Sequence, residues 1–417
     1  MNSLKKSLTL TSGTALFLNI VIGAGLLVLP GLAYQQAGNL SIISWLVCAL
    51  VAIPSVMIFM ILGKQFPDAG GIPHYALRAF GRLPQRIASF IFLGAVIFGQ
   101  PAIALTGGYY LDKIFPISPH FYAACFVIAV TALHSVAGPA LGKILITIGS
   151  SLLVVLLALM AVAFIGIDYG NLKTALPTLS EFHFAQLTLI FAPLMMIFFA
   201  YTGWECGTHA AEDFINSDRD FPRAMIYSFV IATFLYFILA GLVQMAGMTS
   251  GFDAPFIELT RPVLGEGGKY LVAIVTTILI FANIFGAMLS VSRLVFALGR
   301  DQLLPPYFAV TRDGVPMRAL IWLSVIFIVI LSLDYGKYFV NIQQMLAICG
   351  QNLLIMSGIA AACLWKITPR TSHKILAGLG VVITLVILLV AGVAIYYPIA
   401  LVILAMIYHY RAAKHQS

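Results

Sequence analysis

Apolar runs of about twenty residues, parted by short polar stretches, recur along the whole chain, and each has the length a helix needs to cross a bilayer. They fall near 14–36, 40–62, 86–110, 121–137, 144–167, 186–210, 224–248, 270–297, 319–334, 338–364, 375–393 and 395–410, the last two separated only by Tyr396-Tyr397-Pro398. About twelve spans are therefore predicted. Two of them break at glycine near their midpoints: Val21-Ile22-Gly23-Ala24-Gly25 in the first and Tyr201-Thr202-Gly203-Trp204 in the sixth. A helix in hydrocarbon keeps its backbone hydrogen bonds internal, so unwound chain is tolerated there only where the freed groups face protein, water or a bound solute. Matching interruptions in the two halves of a membrane chain predict a solute site at the midplane. The sixth run, five spans after the first, starts from the opposite side of the membrane. One transmembrane domain over 1–417 is expected, with inverted repeats at about 10–170 and 184–366 and additional helices at about 374–410.

Composition fits this layout. The chain is 61% hydrophobic and 9% charged with a mean hydropathy of +1.02, whereas about a quarter of the residues of a soluble domain carry charge. Of its 23 Lys and Arg residues, seventeen fall in the termini and connections that alternate with five on the other side, and Arg293 lies inside a span. The positive-inside rule then places both termini in the cytoplasm. The net charge of +8 is explained by topology and by anionic membrane lipid, not by nucleic acid. Lys5 and Lys6 precede a run that is too long for a secretory signal and lacks a small-residue cleavage site. Cys48, Cys125, Cys206, Cys349 and Cys363 stand singly, without the spacing of a zinc site or a disulfide framework. No metal and no cofactor are implied. The stretch Pro67-Asp68-Ala69-Gly70-Gly71 with Tyr75, Arg78, Arg82 and Arg86 reads as an amphipathic connection lying in the interface.

The breaks carry the candidate chemistry. Where a helix restarts after Gly25, its N–H groups and positive dipole end favour a carboxylate, and where the sixth helix stops near Thr202, its carbonyls favour an ammonium. Two such ends suit a zwitterion. Glycines at Gly23 and Gly25 also permit close helix packing, which is their plainer reading. Glu205, His209 and Glu212 follow the second break at i, i+4 and i+7, on one helical face. Ionisable groups at that depth face a cavity or a partner, which points to gating or proton handling, with a structural cluster as the alternative for His209 and Glu212. Gln100, Asn283, Gln351 and Asn352 are further intramembrane polar residues, of which Asn283 is the preferred side-chain contact. Arg293 is expected to snorkel or to pair with an acid, and Ser290 and Ser292 resemble the lining of an ion site only weakly. No nucleophile elbow, zinc-binding His pair or phosphate loop occurs, so an enzyme is not expected.

Ile22-Gly23-Ala24-Gly25 with Leu29-Pro30, the Pro67 to Gly71 connection, the run from Phe198 to Ala224 ending Phe221-Pro222-Arg223-Ala224, and Ser292-Arg293 through Arg300-Asp301 to Leu304-Pro305 together resemble the amino acid–polyamine–organocation superfamily over nearly the whole chain. Glu205, His209, Glu212 and Arg219-Asp220-Phe221-Pro222-Arg223 are most similar to its bacterial methionine and branched-chain amino-acid exporters. The resemblance implies an all-α, LeuT-like, five-plus-five inverted repeat that alternates between inward-open and outward-open states in a bacterial cytoplasmic membrane. Carried over, the substrate carboxylate meets the amides of Ala24 and Gly25, its ammonium meets the carbonyls of Val21, Phe199 and Thr202, and Tyr201 and Trp204 flank the break. The lysine that several relatives carry in the fifth span is absent here, where Ser150 and Ser151 stand instead. The substrate so implied is a neutral hydrophobic amino acid moved outward or exchanged. A cationic amino acid or polyamine, or a passive channel, is the alternative.

Overall fold

The computed structural model describes residues 8–22, 24–66, 71–167, 177, 184–207, 211, 214–300, 302–311, 315–336, 341–390 and 395–414. These residues are almost wholly helical, in the order α1 (Leu10–Val21), α2 (Ala24–Ala37), α3 (Ser41–Gln65), α4 (Gly71–Phe80), α5 (Arg82–Asp112), α6 (Pro119–Gly166), α7 (Phe184–Phe191), α8 (Leu194–Ala200), α9 (Trp204–Gly207), α10 (Ser217–Met245), α11 (Pro255–Arg300), α12 (Met317–Tyr335), α13 (Ile342–Ile367), α14 (Thr371–Val390) and α15 (Tyr396–Lys414). Among the described residues, eight helical stretches are long and apolar enough to cross a membrane, with shorter apolar helices at Val154–Gly166 and Gln186–Ala200.

Local chemistry sets several of these ends. Thr9 accepts from the Ser12 amide while Ser12 accepts from the Thr9 amide, a capping box that starts α1. Asn341 and Gln344 build the same device at the start of α13. Gly265, at φ +62°, kinks α11 and separates a short helix from the long span. Within the expected amphipathic connection, Gly71–Phe80 forms the helix α4, which buries Ile72, Tyr75 and Ala76 and seats Arg78 4.6 Å from the centre of the Phe66 ring, while residues 67–70 lie outside the described residues. Two details differ from expectation. Arg82 and Arg86 belong to the start of α5, and Arg86 is buried with its guanidinium on the Gln302 carbonyl at 3.2 Å. The two spans expected at 121–137 and 144–167 both fall within one helix, α6, whose backbone stays helical across the connection between them.

The helices assemble in two groups. α1, α2, α3, α8 and α10 pack on one another, and α5, α6, α11 and α12 form a second layer. α13 lies between the broken α8 and α5, while α14 packs on α13 and α15 runs along α5. The contact of α13 with α8 is backbone to backbone, since a methyl group at Gly350 would run into the Met195 carbonyl oxygen. Gly350→Ala is therefore expected to destabilise the fold by about 1–3 kcal/mol. A thermal-unfolding comparison in detergent checks this, and an unchanged midpoint would contradict the contact.

Candidate functional site

Both interruptions are present. α1 ends at Val21 and the chain is helical again from Ala24, while α8 ends at Ala200 and α9 begins at Trp204. Gly203 holds φ +106°, a conformation that side-chain-bearing residues rarely adopt, which is why this break falls at a glycine. The two breaks meet closely. A Cβ added at Gly25 would lie 3.2 Å from both Cα and Cβ of Ala200, so the restart of the first helix is seated on the end of α8.

One side chain ties the two breaks together. The Tyr236 hydroxyl on α10 lies 2.9 Å from the Val21 carbonyl oxygen and 2.9 Å from that of Ala200, and its single proton is shared between the last turns of both interrupted helices. Tyr236 is fully buried, and the ring of Tyr201 meets it edge-on at 5.4 Å. Trp45 on α3 completes this wedge, 5.3 Å from Tyr236 and 6.1 Å from Tyr201. Trp204 and Tyr201 both lean on Phe229, at 5.8 and 6.1 Å.

The remaining groups freed by the second break are also engaged. Thr202 donates its hydroxyl to the Phe199 carbonyl at 2.6 Å, and its amide reaches the same oxygen at 3.2 Å. The Gly203 amide donates to both carboxylate oxygens of Glu205, at 3.1 and 3.0 Å. Glu205 is 8% exposed and caps the helix it belongs to. Of the three carbonyls expected to face an ammonium, Val21 and Phe199 thus already accept from protein donors, and Thr202 stands half-buried beside them. Ile22 and Gly25 are buried and Phe199 is half-buried. Gly23, His209 and Glu212 lie outside the described residues, as does the Ala24 side chain.

The other expected polar residues sit in varied settings. Asn283 is half-buried on α11. Gln351 and Asn352 are buried on α13, and their amide atoms make no hydrogen bond. Ser292 is buried with its hydroxyl on the Leu289 carbonyl at 2.8 Å, whereas Ser290 and Arg293 are exposed. Sequence reasoning missed Tyr236. Its only signal was a phenol in the middle of an apolar run, where a buried hydroxyl must find a partner.

One end of the bundle is fastened by side-chain amides, a phenol and an ion pair. Gln36 donates to Gln343 at 3.0 Å and Gln343 donates to Gln35 at 2.8 Å, which joins the end of α2 to the start of α13. The Phe252 carbonyl abuts Gly31, and Tyr110 donates to the Leu27 carbonyl at 2.8 Å. Lys113 pairs with Asp253 at 3.5 Å. At the other end Ile215 donates to the Leu8 carbonyl at 2.9 Å, and the rings of Phe17, Phe214 and Phe221 cluster with centroids 5.7 to 6.0 Å apart.

A family model described as amino acid permease matches residues 8–412. The chain is 28% identical over 352 residues to the uncharacterized amino acid permease YecA of Bacillus subtilis, covering 82% of this chain and 81% of that one. It is 27% identical over 302 residues to the L-methionine/branched-chain amino acid exporter YjeH of Escherichia coli, covering 71% of each. Among solved structures, that of MhsT in complex with L-phenylalanine superposes with a TM-score of 0.64 at 17% identity, over 94% of this chain and 100% of the other. That likeness establishes the LeuT-like fold.

Removing the hydroxyl that bridges the breaks leaves two buried carbonyls without their partner. Tyr236→Phe is expected to lower stability by about 1–3 kcal/mol. It should also speed amide exchange at residues 21–25 and 200–204 ahead of the rest of the chain. Hydrogen–deuterium exchange read by mass spectrometry checks this, and uniform exchange in both proteins would contradict the tie.

Proposed function

Because this chain belongs to the amino acid permease family, we propose that it is a secondary carrier of neutral, hydrophobic L-amino acids of the methionine, leucine, isoleucine and valine type. It works by alternating access in a bacterial cytoplasmic membrane, with both termini in the cytoplasm and with export or exchange as its direction. The observation that carries this reading is the pair of helix interruptions seated on each other through Gly25, Ala200 and Tyr236. A zwitterion matches them end for end: its carboxylate takes the amides at the restart of α2, around Ala24 and Gly25, and its ammonium takes the carbonyl end of α8 around Thr202. Tyr201, Trp204 and Asn283 complete the lining, and the inverted repeats bring the two ends together.

The surroundings favour an uncharged substrate side chain. A charged one needs a counter-charge in low dielectric. Glu205, the buried carboxylate next to the break, already accepts twice from the Gly203 amide and serves its own helix. The name of the exporter YjeH points the same way, toward methionine and branched-chain solutes.

Counterflow in proteoliposomes tests the reading. Leucine and methionine are expected to exchange with saturation, and arginine or a polyamine is expected not to compete. Movement of arginine with both neutral solutes ignored would overturn the substrate class, and flux that never saturates would indicate a channel. Running the assay with and without a pH gradient reports proton linkage at the same time. Gly25→Val, which forces two methyl groups against Ala200, should abolish binding while the protein is still produced. Glu205→Gln should slow turnover more than it weakens binding, since it exchanges a two-oxygen cap for a one-oxygen cap.

A further inference from the structure

The inward half of α11 carries a stripe unlike the rest of that helix. Asn283, Gly286, Ser290, Arg293 and Ala297 recur at three- and four-residue spacing, so they share one face. All five are incompletely buried, and Ser290 and Arg293 are exposed. An added Cβ at Gly286 meets nothing within 4 Å. Their neighbours Ile280, Ile284, Phe285, Met288, Val291 and Val295 are buried. Where the same helix faces lipid, at Leu271, Ile274 and Ile278, its exposed residues are large and apolar. That lipid face lies about 100° around the helix from the stripe. A face of Asn, Gly, Ser and Arg within a span belongs to water or to a polar path.

Arg293 sharpens the point. Among the described residues no carboxylate pairs with it. Helical side chains lean toward the N terminus of their helix, which for α11 means toward the membrane interior and away from Arg300 at its end. Simple snorkelling is therefore directed the wrong way. α11 also packs on α2, the helix that restarts after the first break. The ends of α2 and α13 are joined by Gln35, Gln36 and Gln343, so on the transport reading this stripe is approached from the other side.

We propose that the Asn283, Gly286, Ser290 and Arg293 stripe is the cytoplasmic half of the permeation path, and that Arg293 is a docking point where the carboxylate of an amino acid pauses between the cytoplasm and the central breaks. This deepens the transport reading above and rests on it. An unpaired cation on the wall of a narrow cleft raises the local concentration of an anionic group and its rate of entry, and does so less in high salt. The carboxylate is common to all amino acids, so Arg293 aids capture without selecting side chains.

The test uses the full chain in proteoliposomes of known orientation, with leucine as the probe. Arg293→Gln is expected to raise KM at the cytoplasmic face about tenfold and to leave KM at the outer face within about twofold, the smaller end of what steering in a cleft supplies. Arg293→Lys should stay close to the parent, and the cytoplasmic difference should shrink as salt is raised. Equal KM values for parent and Arg293→Gln, or an equal rise at both faces, would overturn the proposal. Ser290→Cys provides a second readout that leaves Arg293 in place. It should react with a membrane-impermeant thiol reagent added on the cytoplasmic side, above the background set by the parent's own cysteines, and leucine should protect it. No reaction above that background would also overturn it. Leucine counterflow by the parent is read separately, so failure of the transport reading is told apart from failure of this one.

Discussion

A bilayer interior offers no hydrogen-bond partner, so every peptide group freed by interrupting a helix must be answered by the protein or by its cargo. In this chain the protein answers most of them. The Tyr236 hydroxyl serves the ends of α1 and α8 together, Thr202 turns back on Phe199, and Glu205 takes the Gly203 amide. On the proposed reading, what is left for a solute is small and placed at the restart of α2 and around Thr202. A site with few free polar groups discriminates by leaving those groups unsatisfied when the wrong molecule enters, since an unmet buried donor or acceptor is more costly than a met one is favourable.

The same tie gives the breaks a shared geometry. Tyr236 is anchored on α10, its ring is wedged against Trp45 and Tyr201, and Gly25 rests on Ala200, so the two half-helices cannot shift independently at their junction. A displacement of α1 is transmitted to α8 through one hydroxyl and one close backbone approach. Packed interiors respond to such displacement as units and not by bending. On the proposed reading, the breaks therefore open and close around the solute as one element, with α5, α6, α11 and α12 as the layer against which they move.

Much of this was legible in the sequence, and what was not has identifiable reasons. Span-length apolar runs and paired glycines gave the architecture and the place of the breaks, because hydrocarbon imposes a length and glycine marks where φ turns positive, as at Gly203. Tyr236 escaped notice because a tyrosine in an apolar run reads the same whether its hydroxyl reaches an interface or a backbone carbonyl across the bundle. The spans expected at 121–137 and 144–167 fall within one helix, since two apolar runs parted by a short stretch read alike whether or not the helix stops between them. Arg86 was read as an interfacial anchor from its spacing with Arg78 and Arg82, and only the join of α4 to α5 shows that it turns inward beneath Tyr408. Periodicity says which residues share a face, but not what the face meets.

The two ends of the molecule are closed by different chemistry, and the magnitudes explain why neither closure is permanent. At one end, the Gln35, Gln36 and Gln343 amides contribute hydrogen bonds worth about 0.5–1.5 kcal/mol each once water competes. The Lys113 and Asp253 pair, partly exposed, adds about 0–1 kcal/mol. At the other end, Phe17, Phe214 and Phe221 seal α1 to the start of α10 by ring packing, at about 0.5–1.5 kcal/mol per aromatic pair beyond the area they bury. Neither sum is large against the few kcal/mol that separate interconverting states of a protein. A carrier needs that balance, because a closure much stronger than the solute's own binding could not be reversed by it. Uncharged amides suit this role better than a buried ion pair, which once broken would leave charge stranded in low dielectric and make reopening steep.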